Sequence, residues 1–160
     1  MIRPTRAHGF TLIELLVTLV IVALLASVAL PLSELAVQRS RETDLRHAQR
    51  DIRSAIDAYK KAWDEGRIAT VVGKTGYPAS LAVLVDGVED PASPNSAKIY
   101  FLRRIPRDPF ATDPNLAPAE TWGKRSYASS ASEPQEGEDV YDIYTRAPGN
   151  DLRGIPYREW

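Results

Sequence analysis

Gly9-Phe10-Thr11-Leu12-Ile13-Glu14, followed by LLVTLVIVALLASVALPLSE over residues 15–34, is the stretch that decides the fold. No charged residue lies between Glu14 and Glu34. As a helix rising about 1.5 Å per residue, Leu15 to Ser33 extends roughly 28 Å, close to the hydrocarbon thickness of about 30 Å. The upstream flank carries Arg3 and Arg6 and no acid, which places the start of the chain on the cytoplasmic side. Two features set the run apart from a plain anchor. Glu14 sits inside the apolar block, where an acid costs about 2.5–3.5 kcal/mol on insertion scales, so it needs a partner or a shallow position. Gly9 stands where polar sequence turns apolar, and a glycine there can offer extended backbone to a protease working at the membrane face.

Gly9 to Glu14 with the long aliphatic helix resembles the cleavage and methylation segment of type IV pilins and of type II secretion pseudopilins. The resemblance implies that a prepilin peptidase cuts between Gly9 and Phe10 and methylates the new Phe10 amine. It also implies that Glu14 supports assembly and that melting of the helix near Pro31 helps subunits pack. Physical reasoning supplies a role for the acid, since a carboxylate in the first turn is favoured by the helix dipole and can meet the Phe10 amine of its own or a neighbouring chain. Pro31 removes a backbone donor and clashes with the carbonyl of Ser27, so a kink or an easily melted turn is expected there. A secretory signal peptide is the rival reading, because Ser27-Val28-Ala29 offers small residues to a signal peptidase and predicts a mature start at Leu30.

Beyond Glu34 the chain turns polar, while Leu45, Ala48, Ile52, Ile56, Tyr59 and Trp63 recur every three or four residues. That spacing predicts a single amphipathic helix face lying on a small sheet, with Gly66 as its stop. The expected organisation is a leader over 1–9, a transmembrane and assembly segment over 10–33, an amphipathic half-helix over 34–66 and a periplasmic head over 67–160. The fold class is α+β: a helix from about Phe10 to Trp63 carrying a small antiparallel sheet. Within the head, Ser80 or Ala79 should open a short helix with Leu81, Leu84 and Val85 inward, and residues 86–98 read as loop. Strands are expected over Gly123 to Ser129 and Val140 to Thr145, paired antiparallel. The tail from Pro148 should be a turn and then an extended piece ending on Trp160.

Composition excludes several chemistries. The 160 residues hold 20 Lys+Arg against 21 Asp+Glu, so the charge gives no sign of a nucleic-acid partner. Cysteine is absent and one of only two histidines lies in the leader. No disulfide, thiol nucleophile or zinc constellation can be assembled, and His47 reads as a solvated helix residue, so no enzyme is expected. Arg103, Arg104 and Arg107 read as a solvated basic surface.

The head adds to the resemblance through Tyr77-Pro78 with its leucine-rich turn and through Ile105-Pro106-Arg107-Asp108-Pro109, both similar to segments of type II secretion major pseudopilins. The family implies a structural subunit of a pseudopilus that supports protein export. Its partners would be prepilin peptidase, further copies of itself, minor pseudopilins and the inner-membrane assembly platform. Glu14 favours a bulk subunit over a tip subunit, which lacks the acid. A pilin for adhesion, motility or DNA uptake is the alternative in the same class. Major pseudopilins commonly bind calcium near the last strand, and the candidate ligands here are Asp139, Asp142, Asn150 and Asp151. Calcium takes about six to eight oxygens, and this short tail supplies few. The competing reading is an Asx-type turn at Asn150 and Asp151, with Asp142 holding a strand edge.

Overall fold

A computed structural model describes residues 9–91, 93, 95 and 97–160, apart from the side chains of residues 28–31. The leader ahead of Gly9, with Arg3 and Arg6, lies outside the described residues, and so does the side chain of Pro31. Helix α1 spans Leu12–Asp64. Two compact units divide the chain, one ending at Ser40 and the other running Arg41–Trp160.

The first unit has no buried side chain among the described residues. Its large apolar side chains from Leu12 to Leu25 are exposed, Leu19 by 67% for example. Two hydroxyls in this run are satisfied locally: Thr18 Oγ1 donates to the Leu15 carbonyl at 2.9 Å, and Ser27 Oγ to that of Leu24 at 2.7 Å. Polar groups bonded into their own helix turn are compatible with a hydrocarbon setting.

In the second unit α1 buries Leu45, Ala48, Ile52, Ala55, Ile56, Tyr59 and Ala62 along one stripe. Trp63, expected in that stripe, is only half-buried, and Ala62 takes its inward place. The helix stops at Gly66, whose φ of 71° is left-handed. The Gly66 N–H reaches the Trp63 carbonyl at 3.0 Å and the Arg67 N–H that of Ala62 at 2.8 Å, the paired bonds of a Schellman stop.

Helix α2, Leu81–Asp86, buries Leu81 and Leu84 against the stripe. Val83 packs on the core where Val85 was expected to, while Val85 is partly covered. The loop expected over residues 86–98 is instead interrupted by pairing, because β1 (Val88–Glu89) and β2 (Lys98–Ile99) form a short antiparallel ladder. Gly87, at φ 75°, makes the turn into β1, and the Tyr100 ring lies so close that an added Cβ would sit 2.9 Å from it.

The main ladder joins β3 (Trp122–Arg125) and β4 (Asp142–Thr145), antiparallel, with Gly123 opposite Tyr144. Both strands are shorter than their sequence patterns. Past Arg125 the Ser126 N–H goes to the Gln135 carbonyl and the Tyr127 N–H to Asp139 Oδ1, which draws the backbone out of the ladder. Val140 likewise gives its N–H to the Pro78 carbonyl at 2.8 Å, outside the ladder. Among the described residues the head holds the expected antiparallel pairing as two separate two-stranded sheets. The tail ends in a 3-10 turn, Tyr157–Glu159, in place of an extended piece, after a single bridge between Asn150 and Pro156. Buried Tyr157 packs its ring on Phe110 and Trp160 and donates its hydroxyl to Glu42 at 2.9 Å.

Candidate functional site

Two regions hold the residues singled out by sequence: the opening of α1 and the acid-bearing turns of the head. At the opening, Gly9 and Phe10 precede the helix and are exposed. An added Cβ on Gly9 would meet nothing within 4 Å among the described residues. Thr11 caps α1. Its Oγ1 accepts the Glu14 N–H at 3.3 Å, and its carbonyl accepts the Leu15 N–H at 3.2 Å. Thr11-Leu12-Ile13-Glu14 thus has the Ser/Thr-x-x-Glu spacing of a capping box, with an acid at the third helical position. Sequence reasoning missed this role of Thr11, although that spacing ahead of an apolar run is its signal. Glu14 is exposed in the first turn, where the positive end of the helix dipole favours a carboxylate. From there α1 is long and apolar enough to cross a membrane.

In the head the Ile105-to-Pro109 step turns out to be an anchor. Asp108 is 2% exposed. Its Oδ2 accepts the Thr145 hydroxyl, and its Oδ1 accepts the Phe110 N–H at 2.8 Å. The Asp108 N–H goes to Thr121 Oγ1 at 3.1 Å, and Trp122 Nε1 donates to the Pro106 carbonyl at 2.8 Å. One five-residue step is thereby tied to the start of β3 and the end of β4. Arg107 leaves the basic trio to hold the following loop, donating to the carbonyls of Leu116 and Asp113. Arg103 and Arg104 are exposed. Tyr77 stacks on Tyr127, with ring centroids 5.6 Å apart, and meets Tyr141 edge-on at 4.9 Å. Burial pushes the Tyr77 hydroxyl above its ordinary pKa, with the neighbouring tyrosines adding to the rise.

The four candidate calcium ligands are engaged separately. Asp139 accepts the Thr75 hydroxyl and the Tyr127 N–H. Asp142 lies between Arg53, at 2.7 Å, and Arg125, at 3.3 Å. Asn150 sits in the bridge to Pro156. Asp151 Oδ1 takes the N–H groups of Arg153 at 2.8 Å and Ile155 at 2.9 Å, the first of these closing an Asx turn. Its Oδ2 is gripped by the Arg153 guanidinium through Nε at 3.0 Å and Nη2 at 2.9 Å. Burial alone would raise the Asp151 carboxyl, but these bonds and the guanidinium charge hold it below the usual range. Glu138 is also lowered, by its hydrogen bond to Lys74 and the charge of that lysine. Among the described residues no cluster of three or more acids, histidines or cysteines could hold a metal ion.

Comparison with known proteins agrees with this architecture. Residues 4–30 match the family of the prokaryotic N-terminal methylation motif, which sets the opening of the chain among pilin-type proteins. The chain is 28% identical over 144 residues to a type II secretion system core protein G of Klebsiella michiganensis, covering 86% of this chain and 92% of that one. It is 30% identical over 128 residues to the core protein G of Pectobacterium carotovorum, covering 74% and 72%, and 30% identical over 115 residues to that of Escherichia coli K12, covering 68% and 70%. The chain belongs to the type II secretion system core protein G family, the major pseudopilins. No solved structure matches it.

Proposed function

We propose that this protein is the bulk structural subunit of a type II secretion pseudopilus, without catalytic activity, stored in the bacterial inner membrane with its head in the periplasm. The supporting observation is a helix whose opening half exposes every large apolar side chain described from Leu12 to Leu25, a surface that water disfavours and that lipid or neighbouring helices would cover. Prepilin peptidase cuts between Gly9 and Phe10 and methylates Phe10. The Glu14 carboxylate, set in the first turn by Thr11, then meets the amine of a neighbouring Phe10 and rewards one axial register. The same contact recruits the chain from the assembly platform into a filament that minor pseudopilins begin, and the Pro31 region gives the helix room to adjust.

Intact mass of the membrane-extracted protein tests this reading. A chain starting at methylated Phe10 is expected, whereas one starting at Leu30 supports release by signal peptidase and removes the proposal. The Glu14→Ala variant should insert and be cleaved normally yet give fewer filaments; undiminished yield would refute the role of the acid.

A further inference from the structure

Arg46, Gln49, Arg50, Arg53, Arg153 and Trp160 line a pocket of about 470 Å³ on the head. Positions 46, 49, 50 and 53 recur at helical spacing, so one face of α1 forms one wall. Two of the four guanidinium groups are neutralised: Arg53 by Asp142, with further bonds to the carbonyls of Ile143 and Trp160, and Arg153 by Asp151. The other two are not. Arg46 lies over the Trp160 ring at 4.3 Å, while Arg50 donates to the Arg46 carbonyl at 3.2 Å and meets His47 Nδ1 at 2.9 Å. Neither makes an ion pair with a carboxylate among the described residues.

Buried polar groups add a second observation. Gln49 is 3% exposed, and its Nε2, like Trp160 Nε1, is buried without a hydrogen-bond partner among the described residues. Buried N–H donors without acceptors are rare in folded proteins and ask for a partner. The two guanidinium groups left unneutralised suit a ligand that brings negative charge, and the planar guanidinium fork matches a carboxylate.

The same head displays a source of carboxylates. Residues 133–139, Glu-Pro-Gln-Glu-Gly-Glu-Asp, hold four acids in seven positions. Glu136 and Glu138 make exposed ion pairs with Arg146 and Lys74, contacts of the weak, exchangeable kind, and Glu133 is exposed. We propose that the arginine pocket receives Glu133 and its loop from a second copy of the chain. The inference rests on the assembly reading, in which a head-to-tail contact between two different patches of one protein repeats from copy to copy along an open helical filament.

Titration of the full-length protein in detergent micelles with a synthetic peptide of residues 130–139 tests the pocket. The Trp160 indole N–H resonance should move with this peptide and stay still with a control in which all four acids are amides. Arg46→Ala with Arg50→Ala should weaken binding tenfold or more. Equal response to both peptides, or to neither, overturns the proposal. Because the chain lacks cysteine, a His47→Cys, Ser132→Cys variant allows a clean second test, and oxidised filaments should contain disulfide-linked copies. Filaments that form without such links overturn the contact while leaving the assembly reading intact. Failure to form filaments counts against the assembly reading, and the peptide titration still decides the pocket.

Discussion

The two units of this chain solve the same problem in opposite ways. Up to Ser40 the large apolar side chains that the structure describes are exposed. From Arg41 onward the apolar stripe of the same helix is covered by Leu81, Leu84, Trp122, Ile143 and Tyr157, all from within the chain. One helix thus carries both an exposed apolar stretch and an apolar stripe covered within the head. The lesson is that helical periodicity decides between them: the first stretch is apolar all round, and the second only on one side.

The sharpest way to break the contrast is Trp122→Ala. The indole is fully buried and its N–H is bonded, so the head should lose about 3–5 kcal/mol. Denaturant melting of the head reads that loss, while the membrane fraction of the protein should stay unchanged. The reciprocal change, Val20→Asp, should add about 2.5–3.5 kcal/mol to insertion. Membrane partitioning should fall with no shift in head melting; a shift would show that the units are not separable. Asp108→Ala leaves the Phe110 N–H and the Thr145 hydroxyl without their buried acceptor, at about 1–3 kcal/mol, read by the same melting curve.

The smallest expected effect concerns acid. The lowered folded pKa of Asp151 means that its contribution is present at neutral pH and is lost as pH falls below its ordinary value of 3.8 and through the lowered folded one. Asp151→Asn should remove that part of the acid sensitivity and leave the melting of the head at pH 7 slightly lowered. An unchanged acid limb would deny the Arg153 pairing its role.

Much of the fold was legible because its signals are periodic. The apolar run, the stripe from Leu45 to Tyr59 and the Gly66 stop all follow from local chemistry, and Asp151 makes the Asx turn expected of it. What escaped depends on partners far away in the chain. The strand after Arg125 ends early because Asp139 and Gln135 claim the next N–H groups, and no pattern within residues 126–129 announces that. Val88–Glu89 and Lys98–Ile99 are too short to alternate visibly. Asp108 looked like part of a family step, yet its burial depends on Thr121 and Thr145, which only the folded chain brings near. At the opening of α1 the miss was of another kind. The Thr11 cap was readable locally and was passed over for the acid three residues later.

Arg53 donates from the middle of α1 to residues 89, 90 and 107 positions later, and Tyr157 reaches back 115 positions to Glu42. Contacts that span so much chain require its entropy to be given up before they return any stabilisation. The apolar side of the second half-helix is therefore fully covered only after Ile143 and Tyr157 have joined Leu81, Leu84 and Trp122 on it. Completion of the head is a late event in the making of the chain, and a polypeptide halted before Tyr157 would lack the ring that packs on Phe110 and the hydroxyl that meets Glu42.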